Sequence, residues 1–360
     1  MAQTMTKTAS YAAKKEKAPL EPFTFQRRDL RPHDVKIDIL YCGVCHSDLH
    51  IVKNEWKNTV YPVVPGHEII GRVSEVGNQV KAFKVGQIVA VGCLVDSCRD
   101  CPDCHENLEQ YCDGLVLTYN GKDKIDGTTT YGGYSTNIVV DEKFVLRVPE
   151  EFKEKDLPAV APLLCAGITT YSPLRHWKVG KDSRVGVAGI GGLGHMAIKL
   201  AHAMGAHVVV FTSSESKIPD AKKLGADEVV VTKKPEALKK FTGSLDFIIN
   251  TIAASHNLDD YLTLLKRDGT MCLLGAPEHP HSGPSVRQLI FKRRQLAGSL
   301  IGGLKETQEM LDFCAKKGVL AEIELIPIQK INEAYERMLK NDVKYRFVID
   351  ISTLPREKID

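Results

Sequence analysis

The chain has 360 residues, 43% of them hydrophobic and 26% charged, a length and balance that favour two buried cores over one. Forty-eight basic against 45 acidic residues leave a formal charge of +3, too weak a field to argue for nucleic acid as a partner. No segment reaches the roughly 18 uninterrupted apolar residues of a membrane span, and the N-terminal MAQTMTKTASYAAKKEKAPLEPF lacks the apolar stretch of an export signal. The expectation is a cytoplasmic protein, in whose reducing surroundings ten cysteines serve as ligands, nucleophiles or small core residues rather than bridges.

From Val35 to Pro149 the sequence reads as short strands broken by Gly and Pro: VKIDIL, EIIGRVSEV, QIVAV, YSTNIVV and KFVLRV. This pattern predicts an irregular, mostly β domain. Within it lies DSCRDCPDCHENLEQYC, where Cys98, Cys101, Cys104 and Cys112 follow a C-x2-C-x2-C-x7-C pattern. Four thiolates close a tetrahedral shell around zinc and leave no open position, so the lobe at about 93–113 is expected to be a structural clamp. Left unligated in a polar loop, the same thiols would oxidise.

A catalytic zinc needs three protein ligands and a vacancy. Candidate donors are Cys45 in CGVCHSDLH, His67 in PGHE and Cys165 in PLLCAG. Spacing alone does not join residues so far apart, and a cysteine in an apolar run, as Cys165 is, more often belongs to a core. Cys42, Cys93, Cys272 and Cys314 are read as small core residues.

From about Asp182 the rhythm changes. RVGVAG, HVVVFT, DEVVV, LDFIIN, TMCLLG and QLAGSLIG are apolar runs of strand length, separated by the helix-compatible GHMAIKLAHAMG, SKIPDAKKLG and HNLDDYLTLLKRDG. The alternation predicts a doubly wound α/β domain with a parallel sheet. Its first strand leads into GIGGLG, in which Gly189, Gly191 and Gly194 form G-x-G-x-x-G, with Gly192 and Leu193 between them. The first glycine permits the turn, the second lets backbone approach a pyrophosphate, and the third lets helix lie close to strand, all at a helix N-terminus that favours anions.

An NAD site would place an acid at the end of the second strand. Here Thr212, Ser213 and Ser214 stand there, followed by Lys217, a set that admits and pairs a 2′-phosphate and therefore favours NADP(H). Glu215 is the counter-indication, since turned inward it would bind ribose hydroxyls. After Gly303 come KETQEMLDFCAKK and INEAYERMLKND, both helix-like, and a strand YRFVIDI; period alone leaves open to which domain this tail belongs.

Set side by side, these pieces resemble the zinc-dependent medium-chain alcohol dehydrogenases along nearly the whole chain. GHE, the four-cysteine lobe, PLLCAGITTYSPL, GIGGLG and DVKYRFVID look specifically like the cinnamyl alcohol dehydrogenase branch, whose members are generally NADP(H)-dependent. The resemblance implies a Rossmann domain, 155–302, inserted into a GroES-like catalytic domain formed by 1–154 and 303–360. It also implies two zinc ions per subunit and a homodimer. It joins Cys45, His67 and Cys165 at one catalytic zinc, the Cys2His set of alcohol dehydrogenases, with Glu68 behind the ion and Asp48 orienting the His67 imidazole.

Ser47 and His50 are implied as the path of the substrate proton. His46 and Arg346 are implied as pyrophosphate contacts, Thr169 as packing against the nicotinamide, and Trp56 as lining the substrate pocket. The activity implied is hydride transfer between NADP(H) and aromatic or medium aliphatic primary alcohols and aldehydes. A polyol dehydrogenase on the same scaffold usually has glutamate where this chain has Cys165, a quinone reductase lacks both zinc signatures, and a non-catalytic nucleotide-binding scaffold should have lost a ligand or the proton path.

Overall fold

The computed structural model describes residues 6–354 apart from 234 and 278. The polypeptide divides into two compact units, one running to Cys165 and resuming at 302–316 and from Leu320, the other spanning 166–301 with 317–319.

In the first unit a sheet runs in the order Ile323–Pro327, Arg346–Asp350, Asp34–Gly43, Ile69–Val76, Ile88–Val91, Leu146–Arg147, with Asn137–Asp141 also paired to Asp34–Gly43. All its pairings are antiparallel except that of Ile323–Pro327 with Arg346–Asp350. Strand Asp34–Gly43 carries the alternation that a one-sided sheet demands: Val35, Ile37 and Ile39 are buried, while the residues between them are partly exposed. The tail returns to this unit, because Arg346–Asp350 pairs with Asp34–Gly43 through Val348↔Gly43 and Ile349↔Cys42.

The second unit is a six-stranded parallel sheet in the order Glu228–Val231, His207–Thr212, Arg184–Ala188, Leu245–Asn250, Leu265–Leu273, Gln295–Gly298. Strand order reverses after the first strand in sequence, which is where doubly wound sheets bind ligands beyond the strand ends. Its strands are near-continuous apolar runs, as burial on both faces requires: Val208, Val209, Val210, Ile248 and Ile249 are wholly buried. Phe211, Tyr261, Leu262, Leu265 and Met271 join one cluster with Phe241.

Two expectations change. The first boundary falls after Cys165 rather than at 154/155, because Leu157–Val160 and Ala161–Leu164 pack on strands of the first unit's sheet. The segment HNLDDYLTLLKRDG is helical only at Asp259–Leu262, since its C-terminal half begins strand Leu265–Leu273. Among the described residues no single helix is long and apolar enough to cross a membrane.

Candidate metal centres and cofactor site

Cys45 ends the loop after strand Asp34–Gly43 and stands at the N-cap of helix His46–Val52. Asp48, in the helix's first turn, is fully buried and gathers donors: Cys45 N at 2.9 Å and Tyr134 Oη at 3.3 Å donate to its Oδ2, Gly66 N at 3.1 Å to its Oδ1. His67 Nδ1 lies 3.1 Å from Oδ1. A carboxylate can only accept, so Nδ1 carries a proton, and Nε2 is the nitrogen that would face a metal once its own proton is lost. Tyr119 stacks on the His67 ring at 5.7 Å.

The turn before His67 depends on Gly66, whose φ of +105° and contacts with Tyr134 and Cys42 leave no room for a Cβ. Gly43 has a similar function. A Cβ there would lie 1.9 Å from Glu68 Oε2, so this glycine admits the Glu68 carboxylate to the cluster.

Cys45, His67, Glu68 and Cys165 each present a ligand atom within 4.8 Å of the others. The two sulfurs are 3.8 Å apart and Glu68 Oε1 is 3.9 Å from His67 Nε2. The contact with Cys165, with the charges of Arg346 and His67, pulls Cys45 well below the usual thiol range, so one thiolate of the pair is favoured here. Burial opposes protonation of His67, yet Asp48 and the neighbouring thiols hold it well above the ordinary imidazole value. Burial raises Glu68 to about 7, against the pull of Arg346.

Zinc suits this donor set. Two thiols and an imidazole nitrogen converge in a buried site, and Glu68 Oε2 is left there without a hydrogen-bond partner, as expected of an acceptor placed to meet a cation.

Arg346 is buried and ion-paired to Glu68, where antiparallel pairing and the Val44 N–Phe347 O bond of 2.9 Å carry it; its Nε is left without a partner. Ser47 Oγ lies 3.7 Å from Cys45 Sγ. His50 follows one turn later and its Nδ1 is bound by Glu55, a partner that the sequence reading missed. Trp56 is 48% exposed and its ring lies 5.2 Å from that of His50. His46 is exposed at the first position of the helix. Cys93, read as a core residue, is only partly buried, and its thiol donates to Leu164 O at 3.6 Å.

Cys98, Cys101, Cys104 and Cys112 form a second cluster within 4.8 Å. Backbone N–H groups point at its sulfurs: Cys101 N and Asp100 N donate to Cys98 at 3.2 and 3.5 Å, Cys98 N and Gly114 N to Cys112 at 3.3 Å each. The Asp100 and Cys101 donors take Cys98 down to about 6. Arg99 and Asn107, both with positive φ, turn the chain tightly enough to bring the four together. The set is all sulfur, closed and fit for a structural zinc. A separate cavity of about 760 Å³ in the same unit is lined by ion pairs such as Arg31–Asp123 and by none of these cysteines.

In the second unit Gly189 has φ +92°. A Cβ on Gly194 would meet Gly189 O at 2.1 Å, whereas one on Gly191 would meet nothing within 4 Å. The first and third glycines thus serve the fold and the second leaves open space at the N-cap of helix Gly192–Ala203, beside half-buried Leu193. Lys217 Nζ donates to Ile190 O at 2.9 Å, which holds its ammonium over the turn, and Ser214 Oγ is 2.7 Å from Ser216 Oγ. Ser213 and Glu215 are exposed. Thr169 is buried on helix Ala166–His176. An open glycine, exposed hydroxyls and a lysine suit a dinucleotide bearing an extra phosphate.

Residues 31–150 match the alcohol dehydrogenase GroES-like domain family and residues 192–316 the zinc-binding dehydrogenase family. The chain is 60% identical over 348 residues to aldehyde reductase YahK of Escherichia coli, covering 97% of this chain and 99% of the relative. It is 55% identical over 352 residues to NADP-dependent alcohol dehydrogenase C 1 of Mycolicibacterium smegmatis, covering 97% and 99%. The solved structure of cinnamyl alcohol dehydrogenase SbCAD4 from Sorghum bicolor superposes with a TM-score of 0.94 at 44% identity, over 98% of this chain and all of that one.

Proposed function

Because the chain belongs to the zinc-dependent alcohol dehydrogenases and is an NADP(H)-dependent oxidoreductase of alcohols and aldehydes, we propose that its substrates are aromatic and medium aliphatic primary alcohols and the corresponding aldehydes. In this reading Cys45, His67 and Cys165 hold the catalytic zinc and the four-cysteine lobe holds a second. The observation that carries it is the convergence of one imidazole, two thiols and an Arg346-bound carboxylate at a single buried point.

A bound zinc supplies Lewis-acid stabilisation of charge on the substrate oxygen, and bound NADP(H) exchanges the hydride. The protein's own residues do the rest. Asp48 fixes the His67 ring through Nδ1, so that Nε2 would be the nitrogen offered to the metal. Glu68 keeps its place through Arg346, from which it would be in reach of a bound metal. Ser47 Oγ takes the alcohol proton and relays it to His50, one helical turn away, whose other nitrogen is oriented by Glu55. Gly191 and the helix N-terminus receive the pyrophosphate, Ser213, Ser214 and Lys217 the 2′-phosphate, and Thr169 the nicotinamide.

Two copies pair through the second unit. Gln295–Gly298 is an edge strand, and Val286, Ile290, Phe291 and Leu300 nearby are all more than half exposed. A reducing cytoplasm suits ten unbridged cysteines. The test pairs zinc quantification with a panel of aldehydes reduced by NADPH. Two zinc ions per chain are expected, with cinnamaldehyde-type substrates turned over faster than polyols are oxidised. Cys45→Ser should abolish turnover while NADPH still binds; an active Cys45→Ser enzyme refutes the metal assignment.

A further inference from the structure

The four-cysteine lobe is the tip of a short ribbon whose base reaches His67 and the residue before Cys165. Strand Leu94–Asp96 enters the lobe and Val116–Leu117 leaves it, paired antiparallel as Leu94↔Leu117 and Asp96↔Val116. Strands of three and two residues cannot hold such a pair on their own. Cys98 and Cys112 close its tip, with Cys98 N donating to Cys112 Sγ at 3.3 Å, so an ion held by the four sulfurs would tie one strand to the other. At the base, Thr118 N donates to Cys93 O at 3.1 Å and Thr118 Oγ1 to Gly92 O at 2.5 Å. The next residue is Tyr119, 6% exposed, whose ring stacks on that of His67 with centroids 5.7 Å apart and planes 27° apart. On the facing strand's side, the Cys93 thiol donates to Leu164 O at 3.6 Å. His67 is therefore restrained twice, at its edge by Asp48 through Nδ1 and on one face by Tyr119.

We propose that the four-cysteine lobe retains the catalytic metal: an ion in the lobe fixes the ribbon, the ribbon fixes Tyr119, and Tyr119 is a positioning residue that keeps the His67 imidazole on the catalytic ion. An imidazole leaves a metal by swinging its nitrogen away and admitting water in its place. A ring packed on its face opposes both movements, as does the bond to Asp48 at its edge. Asp48 belongs to helix His46–Val52, outside the ribbon, so its restraint persists when the lobe is empty. The restraint by Tyr119 does not, because only the short ribbon and its clamp hold that residue in register. The two metal sites are coupled through this contiguous path, and emptying one loosens the other.

This inference rests on Cys45, His67 and Cys165 holding zinc, and the experiment separates the two claims. Zinc-loaded full-length protein is mixed with excess chromogenic chelator and zinc release is followed in time; the phase missing from Cys45→Ser belongs to the catalytic site. In Tyr119→Leu that phase should run about 2- to 12-fold faster, the value of an aromatic pair, while Tyr119→Phe keeps the ring and the wild-type rate. Cys104→Ser, which opens the lobe, should also speed release of the catalytic zinc, and joining it to Tyr119→Leu should add little more. Should Cys104→Ser not fold, Thr118→Val takes its place in the cycle: it deletes the bond to Gly92 O and keeps all four cysteines. A Tyr119→Leu rate equal to wild type, the same acceleration in Tyr119→Phe, or fully multiplicative effects in the double variant overturn the proposal. A wild type that holds only one zinc, or a Cys45→Ser that still releases two, overturns the ligand assignment on which it rests.

Discussion

Replacing Asp48 by Asn tests whether the carboxylate behind His67 fixes the metal ligand. The change preserves shape but exchanges one acceptor for a donor, and each carboxylate oxygen faces two donors: Oδ1 meets Gly66 N–H and His67 Nδ1–H, Oδ2 meets Cys45 N–H and Tyr134 O–H. If the new amide nitrogen takes the Oδ1 position, His67 must shift its proton to Nε2 to accept from it. That tautomer blocks the metal-facing nitrogen and still leaves Gly66 N–H unmatched. If it takes the Oδ2 position, Tyr134 can rotate to accept and only Cys45 N–H is orphaned. The second arrangement is the cheaper one. It leaves one buried donor unpaired, a loss of about 1 to 3 kcal/mol, and removes the charge that orients the imidazole, which corresponds to about 10- to 100-fold in metal affinity. Chelator competition on purified variant and wild type measures the affinity, and denaturant unfolding of the zinc-free proteins measures the stability. Metal affinity unchanged within about twofold would refute the argument that the Asp48 charge orients and holds the His67 imidazole.

Three further outcomes follow from the geometry. Gly191→Ala should fold with an unchanged Tm, since its Cβ meets nothing within 4 Å, yet bind NADPH at least about tenfold more weakly because the methyl occupies the pyrophosphate's approach; fluorescence titration checks the second half and thermal unfolding the first. Lys217→Met should reduce kcat/KM with NADPH about 10- to 100-fold, the value of a charge-assisted hydrogen bond, while leaving kcat/KM with NADH nearly unchanged; equal losses with both cofactors would remove Lys217 from the 2′-phosphate. For Asp123, burial opposes ionisation, but a fork of bonds from Arg31 at 2.9 and 3.0 Å wins and lowers the carboxyl's pKa. A depressed folded value stabilises fully above the unfolded value of about 3.9 and the stabilisation is lost as pH falls through the folded one, so the Tm gap between wild type and Asp123→Asn should be constant from about pH 8 to 5 and shrink below about pH 4.

Local signals were legible in the sequence. The four lobe cysteines lie within one short loop, so their spacing already states that one ion can hold them, and the structure adds the N–H donors that stabilise their thiolates. The second unit was legible for a similar reason: each strand is a short apolar run, and the parallel order of the sheet follows once the turn at Gly189 opens the first helix. The first unit was less so, since Ile323–Pro327 mixes exposed and half-buried residues and gives no alternation to read.

The catalytic cluster shows why the rest stayed hidden. Cys45 and Cys165 are 120 positions apart, and no periodicity links a cysteine after a strand to one at the end of an apolar 3₁₀ turn; a resemblance to known enzymes was needed to join them. The Glu68 partner of Arg346 stayed hidden because YRFVID shows an arginine on a strand and nothing of the strand's partner. Only the register of Val348 opposite Gly43 reveals that this strand passes the residue whose missing Cβ makes room for Glu68. The arginine, the glycine and the glutamate thus form one device drawn from both ends of the chain: the glycine admits a carboxylate into a buried site, the guanidinium offsets its charge there, and a cation placed between the thiols and that carboxylate meets a ligand already held in reach.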